Sequence, residues 1–256
     1  MKNYTDIIII GAGLSGIGSA CHIERKNPEK SYIIIEAREE LGGTWSLFKY
    51  PGIRSDSDMY TFGFSFKTWD NPKSFADAPN ILKYLDEAAN EYNIKDKIRY
   101  HTKVVKANFD TQKKIWSIST KNKNNSEEIF YSRFLFSCTG YYNYDEGYTP
   151  DYKGINNFEG KVIHPQHWPE NLDYKNKKVV VIGSGATAVT IVPEMAEKTS
   201  KITMLQRSPT YVGAFPNNDK YAQLIKKYFS KKIAHKLIRF KNIFVQILFF
   251  LACKIW

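Results

Sequence analysis

Cysteine is scarce in this 256-residue chain: Cys21, Cys138 and Cys253 are its only three, with no pairing pattern and no metal-ligand spacing. Their scarcity excludes a disulfide scaffold and a cysteine-built metal centre, and it suits thiols filling core space in a reducing, cytoplasmic compartment. Long hydrophobic runs are also missing. The apolar stretch Ile243–Cys253 has eleven residues, and at about 1.5 Å each it falls well short of a roughly 30 Å hydrocarbon core. No secretory signal is expected at the N-terminus, because Ile7–Ile10 run straight into a glycine turn. Acidic side chains are in deficit, 26 against 37 Lys and Arg, for a net charge of +11. Such a balance suits an anionic ligand, a nucleic acid or an acidic membrane surface, yet no helix-turn-helix, zinc or RNA-binding signature accompanies it. What the chain does have is 43% hydrophobic and 15% aromatic residues, ample for the core of one large domain or two modest ones.

Apolar periodicity organises the rest. Asp6 to Ile10 reads as a strand, Leu14 to about Arg25 as a helix and Tyr32 to Ile35 as a second strand, a βαβ opening. An aromatic, turn-rich loop then runs from Leu41 to about Pro72, long enough to serve a site. Pro79 opens a helix whose Ile81, Leu82, Leu85, Ala88, Ala89 and Tyr92 recur at three-to-four spacing. From Arg99 to Phe136 the period shifts towards two, which predicts a small antiparallel meander over Val104–Phe109, Ile115–Ser119 and Ile129–Phe136. Phe134 to Cys138 reads as a buried strand. A second βαβ opening follows, with strands over Lys178–Ile182 and Ile202–Gln206 and a helix from Ala186 to about Lys198. Beyond Pro216 the chain becomes helical and basic. Its last stretch reads as a core helix without partners, with a membrane-surface helix over residues 237–256 as the alternative.

The expected fold class is α/β: two Rossmann-like, doubly wound, three-layer dinucleotide-binding domains, both incomplete, with the meander attached. The first is placed at residues 1–140, a connection at 141–177, the start of the second domain at 178–216 and a helical segment at 217–256. Gly11-Ala12-Gly13-Leu14-Ser15-Gly16 lies between strand and helix, the context that gives G-x-G-x-x-G its weight. There Gly11 serves the tight turn, Gly13 lets backbone approach a pyrophosphate and Gly16 lets helix pack on strand, while the helix N-terminus faces the phosphates. Glu36 ends the second strand, where a carboxylate accepts both ribose hydroxyls and repels a 2′-phosphate, so FAD or NAD suits this turn. The second turn, Gly183-Ser184-Gly185-Ala186-Thr187-Ala188, has alanine at the third glycine position, which needs only a small residue. After its second strand stand Arg207 and Ser208, which favour a 2′-phosphate and hence NADPH.

Two further segments, Gly43-x-Trp45…Tyr50-Pro51-Gly52…Asp56 and Phe158-x-Gly160-x-x-x-His164-x-x-x-Trp168-Pro169, resemble the two fingerprints of the flavin-dependent Baeyer-Villiger monooxygenases. Within that family the chain is similar to the ethionamide-activating group, through Arg54–Tyr60, Gly140–Tyr148 and Gln206–Tyr211. The resemblance implies a cycle in which NADPH reduces FAD and a C4a-peroxyflavin formed with O2 oxidises a ketone, or the sulfur of a thioamide or sulfide. Carried over by position, Ser15, Glu36, Gly43, Thr44, Trp45, Ser46, Leu47, Asp56 and Val104 would contact FAD, Val104 through its backbone. Arg54, Ser55, Asp56, residues Gly183 to Val189, Arg207 and Ser208 would contact NADPH. Asp56 would act electrostatically where flavin and nicotinamide meet. His164 is read in the family as a coupling or hinge residue, and a simply packed histidine is the other reading of it. Trp168-Pro169 would stiffen the same connection.

Members of the family run to about twice this length, so the resemblance covers their N-terminal half. The family's arginine beside the reacting flavin has no counterpart, since Arg239, the one arginine after Arg207, lies in different surroundings. A second half encoded separately is one expectation, and uncovered apolar faces are another. An amine- or sulfide-oxidising flavin monooxygenase, disfavoured by Trp168-Pro169, and a non-catalytic nucleotide-binding remnant are the alternatives.

Overall fold

The computed structural model describes residues 3–208, 210, 212, 213 and 216–255. In chain order they form β1 (Tyr4–Ile10), α1 (Leu14–Lys26), β2 (Tyr32–Ile35), the single turns α2 (Thr44–Leu47) and α3 (Met59–Phe62), and α4 (Ala78–Glu91). Then come β3 (Ile98–Arg99), β4 (Thr102–Asp110), β5 (Ile115–Asn122) and β6 (Glu127–Ser137). The remainder is β7 (Lys178–Ile182), α5 (Ala186–Ala196), β8 (Lys201–Leu205), α6 (Lys220–Tyr228) and α7 (Lys231–Ile255). Two compact units result: the chain up to Lys49 with Pro79–Glu170, and Tyr50–Ala78 with the chain from Asn171 onward. These divisions fall elsewhere than the expected boundaries at 140 and 177.

The first unit is built on a six-stranded sheet of order β3-β2-β1-β6-β5-β4. The expected meander is present, but it is continuous with the parallel strands. Eleven residues give β6 enough length to pair antiparallel with β5 over Glu127–Ser132 and parallel with β1 over Tyr131–Ser137. The isoleucine run of β1 follows from burial on both faces. Ile9 points at α1 beside Gly16, while Ile8 joins Ile35, Ile118 and Phe130 on the other face. Each fully buried isoleucine contributes about 1.5–3 kcal/mol. The expected burial of the β6 strand holds on one side only: Leu135 packs into that cluster, but Phe134 is 58% exposed and Phe136 39%. An apolar run signals two covered faces, and this chain covers one.

The second unit holds a two-stranded parallel sheet, β7 beside β8, with Val179 opposite Ile202 and Val181 opposite Met204. Helix α5 buries Ala188, Ile191 and Met195, while Val180, Ile182 and Leu205 remain exposed. The C-terminal stretch expected as a core helix without partners is helical, and its apolar side chains are largely uncovered. Helix α7 is one 25-residue element whose first half buries Ala234, His235 and Ile238. Between Ile243 and Leu251 its large apolar side chains are 40–65% exposed. Among the described residues no helix is long and apolar enough to cross a membrane.

Candidate functional site

In the first unit the turn after β1 is held from three directions. Gly11 donates its N–H to the Ile35 carbonyl at 2.8 Å, which ties it to the end of β2. The buried Glu36 carboxylate accepts from Ala12 N at 2.7 Å and from Arg38 N at 3.0 Å. Gly42 donates to the Ala12 carbonyl at 3.0 Å, bringing the second glycine pair onto the first turn. A Cβ on Gly16 would lie 1.8 Å from the Gly11 carbonyl oxygen, so α1 can seat on β1 only through glycine. Gly43 has φ +58 and ψ −124, a backbone state that L side chains avoid, and its would-be Cβ would stand 3.0 Å from Gly13 Cα. The first turn of α1, with Ser15 exposed on it, has no intrahelical acceptors for its N–H groups and faces this turn.

These constraints bring Gly11, Gly13, Ser15, Gly16, Glu36, Gly43 and Thr44 to one end of the parallel strands. Trp45, Ser46 and Leu47 follow on α2. Ser46 is fully buried; its hydroxyl accepts from Arg38 Nη1 at 2.7 Å and donates to the Gly43 carbonyl at 3.2 Å. It therefore organises the turn. Val104 packs into the Ile8 cluster beside a β-bulge between Val104 and Lys106, and Thr102 donates to the Glu36 carbonyl, which keeps β4 next to the acid. A carboxylate beside a glycine turn and a helix N-terminus can hold a ribose and a pyrophosphate of one dinucleotide.

In the second unit Gly183 donates to the Leu205 carbonyl at 2.9 Å and Gly185 stands at the N-cap of α5. No atom lies within 4 Å of a Cβ placed on either, so the backbone there is open to a ligand. The loop from Tyr50 packs onto the same helix. Tyr50 lies beside Thr187, and burial raises its phenol above the ordinary value. A Cβ on Gly52 would stand 2.2 Å from Glu194 Cγ and 3.2 Å from Thr190 Cγ2. Arg54 bridges to Asp77, and Ser55 donates N–H to the Ala76 carbonyl at 2.8 Å. The Ser55 hydroxyl is engaged locally, donating to the Ser57 carbonyl at 2.9 Å. Asp56 is exposed, and so are Arg207 and Ser208 after β8. The expected nicotinamide-dinucleotide set Arg54, Ser55, Asp56, Gly183–Val189, Arg207 and Ser208 thus shares one unit. Asp56 does not belong to the unit that carries the other expected flavin residues.

The fingerprint segment after the meander lies in the first unit. Phe158 and Gly160 are exposed there, as is Pro169, while Trp168 is half-buried. His164 caps a short turn by accepting Gln166 N at Nδ1, 3.2 Å away.

A set of residues in the second unit went unnoticed in the sequence. Asp58 caps α3: its carboxylate accepts from Tyr60 N at 3.0 Å, Thr61 N at 3.1 Å and Thr61 Oγ1 at 2.6 Å, and from Asn242 Nδ2 at 2.7 Å and Gln246 Nε2 at 3.2 Å on α7. Arg239 closes the other end of α3, donating from Nη1 to the carbonyls of Tyr60 (2.6 Å), Thr61 (3.2 Å) and Gly63 (3.0 Å). The guanidinium is committed to backbone carbonyls. His235 lies beside the Tyr60 ring; burial and then Arg239 hold its imidazole below the usual 6.5. The signal available was the spacing: His235, Arg239, Asn242 and Gln246 recur at helical intervals along a helix rich in lysine and apolar residues. Among the described residues no group of His, Cys, Asp and Glu is placed to hold a metal ion.

A family profile described as flavin-binding monooxygenase-like matches residues 4–240. The FAD-containing monooxygenase EthA of Mycolicibacterium smegmatis is 50% identical over 244 residues, covering 95% of this chain and 49% of the relative. The probable FAD-binding monooxygenase AlmA of Acinetobacter baylyi is 49% identical over 247 residues, covering 96% of this chain and 50% of the relative. Among solved structures, OTEMO in complex with FAD and NADP superposes with a TM-score of 0.68 at 33% identity, over 80% of this chain and 40% of that one. Oxidized steroid monooxygenase bound to NADP gives 0.73 at 27% identity, over 88% and 42%. The chain spans about half the length of the curated relatives it matches.

Proposed function

Because the chain belongs to the flavin-binding monooxygenase-like family, we propose that it is the N-terminal half of an FAD- and NADPH-dependent monooxygenase of Baeyer-Villiger type. It would act on a small-molecule ketone or on the sulfur of a thioamide or sulfide, with O2 as co-substrate. The observation that carries the reading is the chemical difference between the two strand ends. A buried carboxylate, Glu36, stands at the first, and Arg207 with Ser208 stands at the second. A carboxylate suits the unphosphorylated ribose of FAD; a guanidinium suits the 2′-phosphate of NADPH.

The residues present suit both groups. Gly11, Gly13, Gly16 and Gly43 let the first turn pack tightly beside the N-terminus of α1, and Glu36 fixes the loop through Ala12 N while keeping oxygen lone pairs for hydroxyls. Gly183 and Gly185 leave open space at the start of α5. When bound, FAD supplies the oxygen-activating redox chemistry and NADPH the reducing equivalents. The chain itself binds and orients: Glu36 and the first turn hold one dinucleotide, Arg207, Ser208 and the second turn the other, and Asp56 contributes a carboxylate. A cytoplasmic setting belongs to the reading, resting on the scarcity and unpaired spacing of Cys21, Cys138 and Cys253 in the sequence.

The second reading is a nucleotide-binding form without turnover, favoured by the exposed Val180, Ile182 and Leu205 beside the second turn. A separately encoded second half, or contact of residues 237–256 with a membrane surface, would cover apolar area that this chain leaves open. NADPH-dependent oxygen uptake by the purified FAD-loaded chain, with ester formation from a simple ketone, supports the first reading. FAD binding without oxygen uptake supports the second.

A further inference from the structure

The segment that follows β6 carries Tyr142 and Tyr144, which the dinucleotide assignments leave unused. Tyr142 meets the ring of Phe48 edge to face, with 5.1 Å between centroids at 82°. Phe48 is the C-cap of α2. Tyr144 reaches the other end of the same helix. Its phenol oxygen lies 3.4 Å from where a Cβ on Gly43 would stand, at the Gly43–Thr44 turn. The two tyrosines therefore clasp α2 at both ends.

The clasp is itself held by the fingerprint segment. Gln166 is buried and donates from Nε2 to the Asn143 carbonyl at 2.6 Å. The His164 ring lies against Gly147 so closely that a Cβ there would stand 2.2 Å from Cε1, 2.5 Å from Nδ1 and 2.8 Å from Nε2. Gly147 is thus a contact glycine, and the imidazole occupies the place of its missing side chain. One continuous set of contacts runs from His164 and Gln166 through residues 143–147 to Tyr144 and the Gly43–Thr44 turn, all within the first unit.

We propose that Tyr144 is a flavin-site residue walling the Gly43–Thr44 turn, and that His164 and Gln166 are positioning residues that act on this turn through the Tyr142–Gly147 strap. The inference rests on the flavin reading of the first turn. It gives the fingerprint histidine a mechanical role, in which its ring sets where Tyr144 sits and Tyr144 offers one hydroxyl to a polar group of the bound dinucleotide. Neither function requires the imidazole to exchange a proton.

Three variants and two readouts test it. FAD affinity is measured by quenching of flavin fluorescence, and hydrogen-deuterium exchange of the 42–48 amides is measured on the flavin-free full chain. Tyr144→Phe keeps the ring and is expected to weaken FAD binding three- to tenfold. Gly147→Ala drives a methyl group into the His164 ring and is expected to speed exchange at residues 42–48 at least fivefold. The double variant Gly147→Ala, His164→Ala removes the obstructing ring and is expected to bring that exchange back towards the wild-type rate. Unchanged exchange in Gly147→Ala overturns the strap, and wild-type FAD affinity in Tyr144→Phe overturns the flavin-site role. A wild-type chain that binds no FAD overturns the flavin reading and the Tyr144 role together, while the exchange experiment separately decides the strap.

Discussion

A methyl group placed on Gly16 would sit 1.8 Å from the Gly11 carbonyl oxygen, whereas one placed on Gly185 would meet no atom within 4 Å. Both glycines follow a parallel strand and open a helix, yet they answer to different demands. The first turn is enclosed by Ile35, Glu36, Gly42 and Gly43, so its glycines are required by the fold before any ligand arrives. The second turn is backed by two strands and one helix, with Val180, Ile182 and Leu205 exposed. Its glycines leave space that the protein itself does not use. A G-x-G pattern therefore reports two separable properties, close packing and ligand access, and each turn here displays one more clearly than the other.

The sharpest way to break this comparison is to add one carbon at each turn. Gly16→Ala overlaps backbone and is expected to destabilise the first unit by about 3 kcal/mol or more, with loss of FAD binding. Gly185→Ala is expected to change stability by less than about 1 kcal/mol while weakening NADPH. Urea denaturation followed by tryptophan fluorescence, beside titrations of each dinucleotide, measures both. Equal stability losses would erase the distinction.

Changing the strand-end residues gives the next largest effect. Arg207→Ala should weaken NADPH roughly 10- to 150-fold, the worth of a charge-assisted hydrogen bond at about 1.5–3 kcal/mol, and leave NADH and FAD binding unaltered. Glu36→Gln should weaken FAD about tenfold and cost about 1 kcal/mol of stability, because Ala12 N and Arg38 N lose a charged acceptor. An NADPH loss in Glu36→Gln, or an FAD loss in Arg207→Ala, would mean that the dinucleotides are assigned to the wrong turns.

A smaller effect reports on the second unit through pH. Burial holds the His235 imidazole below its ordinary 6.5, so in the folded chain it stays neutral where the unfolded chain takes up a proton. Its contribution is fully present above pH 6.5 and is lost as the pH falls from there towards the depressed folded value. Denaturation midpoints between pH 7 and 5 should show the second unit weakening on acidification, and His235→Gln should flatten that slope.

Much of the first unit was legible because its signals are local. The turn Gly11–Gly16, the acid at Glu36 and the period-two runs between Val104 and Phe136 lie within or beside the elements they define. The dual pairing of β6 was not legible, since an apolar run states that a strand is buried and leaves open on how many sides. The attachment of Tyr50–Gly52 to α5 joins residues more than a hundred positions apart through a tyrosine and a bare glycine face. No periodicity encodes such a contact. Helix α7 misleads in a different way: its apolar residues suggest burial, while the face it turns to α3 from His235 to Gln246 carries a polar stripe that holds α3. For the candidate site, the residue types and their strand ends could be read directly, but the engagement of the Ser46 and Ser55 hydroxyls with neighbouring groups became visible only in three dimensions.

Calorimetric titration of the purified chain with FAD, and then of the FAD-loaded chain with NADP+ and NAD+, tests the central claim most directly. One FAD and one NADP+ bound per chain at non-competing sites, with NAD+ at least tenfold weaker, is the predicted result. FAD and NADP+ displacing each other from a single site would contradict it.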